Sequence, residues 1–233
     1  EEIFIENLMK NRAEGVVAVP GSTAVTGAYR ELVDSGTKLV ILDGYIEGLP
    51  APQILGDNYK AARLATDHLL KLGHRRIVYL GIPQVSHVGR ERARGFREAL
   101  ADAGVAPSAD SLVETEFDEF AAEKTAAEIL ARPDRPTGLL VRHDIVARGV
   151  MRAILAAGLS IPNDISVVGS GDVLGSDMFR IPLTTVHFPA QEMADLGVKT
   201  LLAMLAGQTV EPKVHVLDVR LVERASAAPP KIP

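Results

Sequence analysis

The sequence predicts an α/β protein built on parallel sheets with helices on both faces. Strand-like and helical runs alternate almost throughout the chain, the signature of repeated βαβ units. The strand-like runs are continuously apolar rather than alternating, as required when both faces of a sheet are covered. The segment Asp57–Ile77, DNYKAARLATDHLLKLGHRRI, shows one such unit in full. Asp57 is a residue type that caps a helix by accepting hydrogen bonds from its first turn. Ala61, Leu64, Ala65, His68, Leu69 and Leu72 fall on one helical face. Gly73 stands where a helix end favours positive φ, and Ile77-Val78-Tyr79-Leu80 then supplies a short buried strand.

The same reading places the other elements. Strands are expected at Gly15–Val19, Lys38–Leu42, Arg76–Leu80, Ser111–Glu114, Gly138–Val141, Ile165–Val168, Thr184–His187 and Val214–Val219. Helices are expected at Val25–Asp34, Tyr59–Lys71, Arg90–Ala103, Glu119–Ala131, Ile145–Ala157 and Ala190–Ala206. The opening EEIFIENLMKNR is a helical pattern where a doubly wound domain usually starts with a strand, so the chain reads as starting partway through its first lobe. The tail Ala225–Pro233, small and proline-containing, reads as frayed.

Composition narrows the function classes. A net charge of −5 argues against wrapping nucleic acid or lying on an anionic membrane. No apolar run is long enough to span a membrane, and the acidic N-terminal segment is not a secretory signal. With no cysteine there is no thiol nucleophile or thiolate metal site, a composition that fits the cytoplasm. Aromatics at 4%, without tryptophan, disfavour a surface of stacking platforms for single-stranded nucleic acid. His68 and His74 sit in the helix and its junction and read as structural rather than metal-ligating. No metal or cofactor motif, Walker loop or GxGxxG appears, and Ser170 in GSGD lacks the GxSxG of a nucleophile elbow.

Four blocks together resemble the lactose/galactose repressor family (LacI/GalR), bacterial regulators that sense small molecules. They are AEGVVAV at Ala13–Val19 with KLVILD ending at Asp43; DNYKAARLATDHLLKLGHRRI continuing to RERARGFREAL at Arg90–Leu100; RPTGLLVRHDIVARGVMRAILAAGLSIPNDISVVG at Arg135–Gly169; and PLTTVHFPAQEMADLGVKTLLAMLAG from Pro182 with LVERAS at Leu221–Ser226. The resemblance implies two doubly wound parallel-sheet lobes of the type I periplasmic-binding-protein kind, with an effector in the cleft between them. The N-terminal lobe would comprise residues 1–55 plus about 190–210 and be truncated at its start. The C-terminal lobe would comprise residues 56–189 plus about 211–226, with 227–233 a flexible tail. The family's DNA-binding headpiece has no counterpart in the sequence, so operator DNA is expected to be reached only through a part absent from this chain.

Ligands of open α/β sheets sit at the carboxyl ends of strands, and the resemblance points to residues there. Asp43 ends KLVILD and matches a cleft-facing position; alone, it also reads as a turn residue. Arg92, three residues before Gly95, stands where family members carry an effector-contacting arginine, a rigid fork of donors suited to hydroxyls or a carboxylate. A solvated helix arginine is the plain alternative. Phe117 aligns with an aromatic that packs on the effector, with core packing and Phe120 as alternatives. His143 replaces the family's usual asparagine before Asp144, and keeps hydrogen-bonding capacity with a pKa near neutrality. In Gly169-Ser170-Gly171-Asp172, Gly171 replaces an acidic residue that often grips a sugar hydroxyl. Asp172 remains, placed either on the effector or in an Asx-type turn.

The resulting expectation is the effector-sensing core of a cytoplasmic, homodimeric transcriptional regulator, with a sugar, sugar derivative or nucleoside-like ligand, no cofactor and no catalysis. A transporter's solute receptor is the alternative, and an enzyme on a doubly wound fold a more distant one. Ile145, Val146, Val150, Met151 and Ile154, at helical spacing, offer an apolar face for the dimer or for the core.

Overall fold

A computed structural model of the chain describes residues 1–21, 26–81, 83–211 and 213–231. Val25, the expected first residue of the second helix, and Ile232 and Pro233 of the tail lie outside the described residues. In chain order the elements begin α1 (Glu2–Lys10), β1 (Gly15–Ala18), α2 (Thr26–Asp34), β2 (Lys38–Leu42), β3 (Gln53–Gly56), α3 (Asn58–Lys71), β4 (Ile77–Gly81) and α4 (His87–Asp102). They continue with β5 (Leu112–Glu114), α5 (Glu119–Leu130), β6 (Gly138–Val141), α6 (Asp144–Ala156), β7 (Ser166–Gly171), β8 (Thr184–His187), α7 (Ala190–Leu205), β9 (Val214–Leu217) and β10 (Arg220–Val222). The chain divides into two compact units. One is Glu1–Asp57, Val85–Val88 and Pro189–Asp218; the other is Asn58–Gln84, Gly89–Phe188 and Val219–Pro233.

The first unit holds a parallel sheet in the order β1-β2-β3-β9. Successive side chains of a strand point to opposite faces, and β2 shows the consequence. Leu39 and Ile41 pack with Ile5, Tyr29 and Leu32 of α1 and α2, while Val40 packs with Met193 of α7. Strand β3 was not expected from sequence. Its four residues follow Pro52, open on a polar side chain and end in glycine, too little apolar run to stand out. Gln53 explains itself in the fold. Its buried amide accepts from the Ile46 N–H (2.7 Å) and donates to the Ile46 carbonyl (2.9 Å), pinning the connection from β2.

The second unit holds a six-stranded sheet in the order β10-β8-β7-β6-β4-β5, parallel except for the antiparallel edge strand β10. Val78, Leu80, Leu139, Val141 and Val167 face α5 and α6, and Ile77, Tyr79, Leu140 and Val168 face α3 and α4. Helix α3 ends at Gly73 (φ +100°), with N–H bonds from Gly73 to the Leu70 carbonyl and from His74 to the Leu69 carbonyl. That pair of bonds is the Schellman arrangement that satisfies the orphan carbonyls of a helix end.

Three expectations are corrected. The last strand, expected whole in the second lobe, is two strands. β9 pairs parallel with β3 in the first unit, with Gln53 N–H on the Lys213 carbonyl and Asp57 N–H on the Leu217 carbonyl; after Asp218, β10 pairs with β8 in the second. The tail expected to be flexible is anchored through Lys231. Buried Ser226 donates to the Val167 carbonyl (2.6 Å) and accepts from the Thr184 N–H (2.8 Å), Ala228 N–H bonds Ser166 Oγ, and Lys231 pairs with Asp164 at 2.8 Å. Finally, Val146, Val150, Met151 and Ile154 are core against α5 and the sheet, so only Ile145 of the proposed dimer face is exposed.

Ser226→Ala strands a buried N–H and a buried carbonyl. Such an orphaning costs about 1–3 kcal/mol, and in a chain of this size each kcal/mol lowers Tm by roughly 2–4 °C. Thermal unfolding followed by circular dichroism should show that loss, whereas a frayed tail would show none.

Candidate ligand site

The carboxyl ends of β4, β6 and β7 gather charged and aromatic side chains in the second unit. Packing of α4 on α3 puts the first of them in place. A Cβ at Gly95 would lie 2.3 Å from the Tyr59 carbonyl oxygen, so only glycine permits this approach. One turn earlier, Arg92 is thereby drawn against the start of α3, where its Nε donates to Asn58 Oδ1 at 2.7 Å. Its Nη1 donates to the Arg142 carbonyl at 2.8 Å, and its Cζ lies 5.0 Å from the centre of the Phe188 ring. At 9% exposure Arg92 is a buried, oriented guanidinium, which rejects the solvated-arginine reading.

Arg142 follows β6 directly. Its Nη1 donates to the Thr115 carbonyl at 2.5 Å, and its Cζ lies 5.6 Å from the centre of the Phe117 ring. Among the described residues, its Nε and the neighbouring Thr115 Oγ1 are buried without hydrogen-bond partners. Burial lowers the proton affinity of this guanidinium below the ordinary arginine range, and the charge of Arg92 acts in the same direction.

His143 caps α6. Its Nδ1 accepts from the Ile145 N–H at 3.2 Å, which assigns the ring proton of the neutral form to Nε2. Burial holds its pKa below the ordinary value, with the Asp144 carboxylate pulling the other way. The Phe117 ring meets the imidazole edge-on, centroids 4.8 Å apart. Phe117 is 56% exposed and therefore not core. Its proposed substitute, Phe120, instead lies against Arg152, 5.4 Å from ring centre to Cζ.

Asp172, at the end of β7, is differently occupied. Its Oδ1 accepts from Arg224 Nη2 at 2.6 Å and its Oδ2 meets His187 Nδ1 at 3.0 Å. Burial would raise its pKa, but the bonds to Arg224 and His187 outweigh that and hold the carboxyl below its ordinary value. With both oxygens engaged inside the unit, Asp172 is an internal tie between β7, β8 and the segment after β10. Gly171, beside it, would bring a Cβ 3.4 Å from His143 Nε2; glycine leaves that nitrogen uncrowded. Asp144 is fully buried and bonds Thr185 Oγ1 (2.6 Å), Ser176 Oγ (2.7 Å) and the Val173 N–H (3.1 Å). Asp43 belongs to the first unit, where it is exposed at the carboxyl end of β2 with φ +49°.

Arg92, Phe117 and His143 thus form one patch, joined by Arg142 and Phe188. Sequence reasoning passed over Arg142. A cation directly after the four apolar residues of β6 was the available signal, by the same strand-end rule that singled out Asp43. Phe188 and Asn58 carried no such signal. His74 is structural, its ring nitrogens within 2.9 Å of Thr137 Oγ1 and of the Ala228 carbonyl.

This architecture, with polar groups at the carboxyl ends of parallel strands, defines a periplasmic-binding-protein-like domain, and the model of that domain family matches residues 66–227. A Streptomyces limosus protein named as an uncharacterized HTH-type transcriptional regulator is 34% identical over 98% of the chain and 66% of its own length. The Salmonella typhimurium HTH-type transcriptional regulator GalR is 32% identical over 99% of the chain and 67% of its own length. Among solved structures, a CelR–cellobiose complex superposes with a TM-score of 0.87 at 27% identity, covering 97% of the chain and 69% of that protein. A LacI-family regulator from Enterococcus faecium with bound ribose gives 0.87 at 27% identity, covering 97% and 84%. The chain belongs to the LacI/GalR family and spans about two thirds of the length of these curated relatives. Among the described residues, no helix is long and apolar enough to cross a membrane.

Acid should destabilise the second unit in two stages. Burial lowers the pKa of His68, His74 and His143 below the ordinary histidine value of 6.5. The unfolded chain therefore binds more protons than the folded one as pH falls through this range, so stability is full above 6.5 and declines below it. Asp172, with its pKa lowered from 3.8, adds a second loss below about pH 4. Tm measured between pH 8 and 3 should show both declines. His143→Asn, which keeps an N-capping side chain, should flatten the first; an unchanged slope would remove His143 from its cause.

Proposed function

We propose that the chain is the effector-sensing domain of a transcriptional regulator. It binds a sugar, a sugar derivative or a nucleoside-like molecule against Arg92, Phe117 and His143. Occupancy changes the operator affinity of a full-length homodimer whose DNA contacts are made by a separate headpiece. The observation that carries this reading is the oriented guanidinium of Arg92 beside an exposed aromatic ring and a histidine with its Nε2 uncrowded. Membership of a family of regulators supports it, as do the cellobiose and ribose bound to the two structural relatives. Asp43 is proposed as a further effector contact from the first unit, and Asp172 as the tie that holds the end of β7. The protein is proposed to act in the cytoplasm and to bind rather than catalyse. A transporter's receptor is the weaker reading, because the relatives are named as regulators.

A thermal-shift screen of sugars, sugar phosphates, nucleosides and purines tests binding. With a compound that raises Tm, Arg92→Ala should weaken affinity roughly tenfold to a hundredfold or more in calorimetric titration, from about 1.5–3 kcal/mol for a lost charge-assisted hydrogen bond. The variant should also melt lower, because Arg92 is buried and links Asn58 to the Arg142 carbonyl. Unchanged affinity in a folded variant would take Arg92 out of the site. Light scattering of the full-length protein at micromolar concentration should give the dimer mass, and a monomer would refute the proposed assembly.

A further inference from the structure

We propose that the effector carries an oxyanion, a carboxylate or a phosphate ester, seated against Arg92, Arg142 and His143. This rests on the effector-binding reading above and narrows it to a chemical class.

The patch is dominated by donors. Arg92 spends Nε on Asn58 and Nη1 on the Arg142 carbonyl, and Arg142 spends Nη1 on the Thr115 carbonyl. Among the described residues neither guanidinium has a carboxylate partner, and the Nε of Arg142 is buried without a hydrogen-bond partner. His143 accepts at Nδ1 from the backbone, so its Nε2–H is a third donor. Asp144, next to His143, is already committed to Thr185, Ser176 and the Val173 N–H, and Asp172, next to Gly171, to Arg224 and His187. Gly171 adds no second acid beside His143.

A neutral sugar hydroxyl accepts hydrogen bonds but must also place its own proton on an acceptor. Carboxylates and phosphates are acceptors only and pair with guanidinium forks at roughly twice the strength of neutral bonds. Two like charges held together, one of them half-buried, are also an unfavourable arrangement that an anion relieves. Phe117 beside the donors offers an apolar face to the uncharged remainder of such a ligand.

The test uses matched pairs on the same protein: glucose with glucose 6-phosphate and glucuronate, ribose with ribose 5-phosphate, and adenosine with its 5′-monophosphate. At least one anionic member should raise Tm and bind at least tenfold tighter than its neutral counterpart. The phosphate and carboxylate arms tell which oxyanion is preferred. Arg142→Met retains side-chain bulk without charge. It should lose that preference, with affinity for the anion falling roughly tenfold or more, while the unliganded variant melts no lower than wild type. Arg132→Gln is the control for a second basic cluster, formed with Arg76 and Arg135 at the amino ends of β4 and β6. It should bind like wild type.

Neutral members binding as well as their anionic partners would overturn the proposal and leave the effector reading standing. Anion binding that survives Arg142→Met, or that is lost in Arg132→Gln, would overturn it by placing the anion elsewhere. A panel in which no member binds would count against the effector reading and carry the proposal down with it.

Discussion

Both faces of the six-stranded sheet are covered by helices, and nearly everything else in the second unit follows from that constraint. A strand buried on two sides is mostly apolar along its length, and a polar side chain there must be bonded, as Thr185 is to Asp144. Val78, Leu80, Leu139, Val141 and Val167 must be apolar toward one helical layer, and Ile77, Tyr79, Leu140 and Val168 toward the other. Chemistry is thereby confined to strand ends. At the carboxyl ends stand Arg142, His143 and Asp172; at the amino ends stand His74, Thr137 and Ser166, which bond among themselves and to the Ala228 carbonyl.

The two ends are treated differently, and the difference is informative. At the amino end polar atoms are matched. The His74 ring nitrogens find Thr137, Ser166 and Ala228, and Ser226 both donates and accepts. At the carboxyl end the carboxylates are matched and the Arg142 guanidinium is not. Asp144 takes three donors and Asp172 takes Arg224 and His187, while Arg142 keeps a buried Nε without a partner among the described residues. An unsatisfied buried donor costs stability, so this end is less well resolved by the fold alone. Departures from local consistency of this kind collect where a protein binds something.

How much of this could be read from sequence depended on the length of the signal. Helix α3, its Gly73 terminus and the apolar run of β4 are long, periodic and locally determined, so pattern and structure agree to within a residue or so. Strand β3 is four residues behind a proline and begins with Gln53, whose role is a pair of bonds to Ile46 that no periodicity announces. The split between β9 and β10 turns on which sheet edge each half meets, a tertiary choice that VHVLDVRLV does not encode by itself. The helical spacing of Val146, Val150 and Ile154 announced an apolar face, but not whether core or partner would cover it. Within the proposed site, Arg92 and His143 could be singled out because they sit in recognisable strings. Phe188 was not, because its role exists only through the guanidinium that lies against it.

Arg142 is the residue where these threads meet. A helix-surface arginine can keep its charge in water at little cost, as Arg94 does in pairing with Glu91 and Glu98 on the exposed side of α4. Arg142 instead stands at the end of a central strand, beside a second guanidinium and without an ion pair among the described residues. Burial penalises its charged form, and Arg92 adds to the penalty. Such a charge is held only because the rest of the unit is stable enough to tolerate it: the apolar layers on both faces of β6 supply that stability, and the carbonyl of Thr115 supplies one fixed bond. A ligand that binds the folded state and neutralises the patch returns free energy as mass action, about 2.7 kcal/mol at a concentration one hundred times its Kd. Burial of the strands therefore both excludes charge from the sheet and makes the one cation at the end of β6 responsive to whatever anion reaches it.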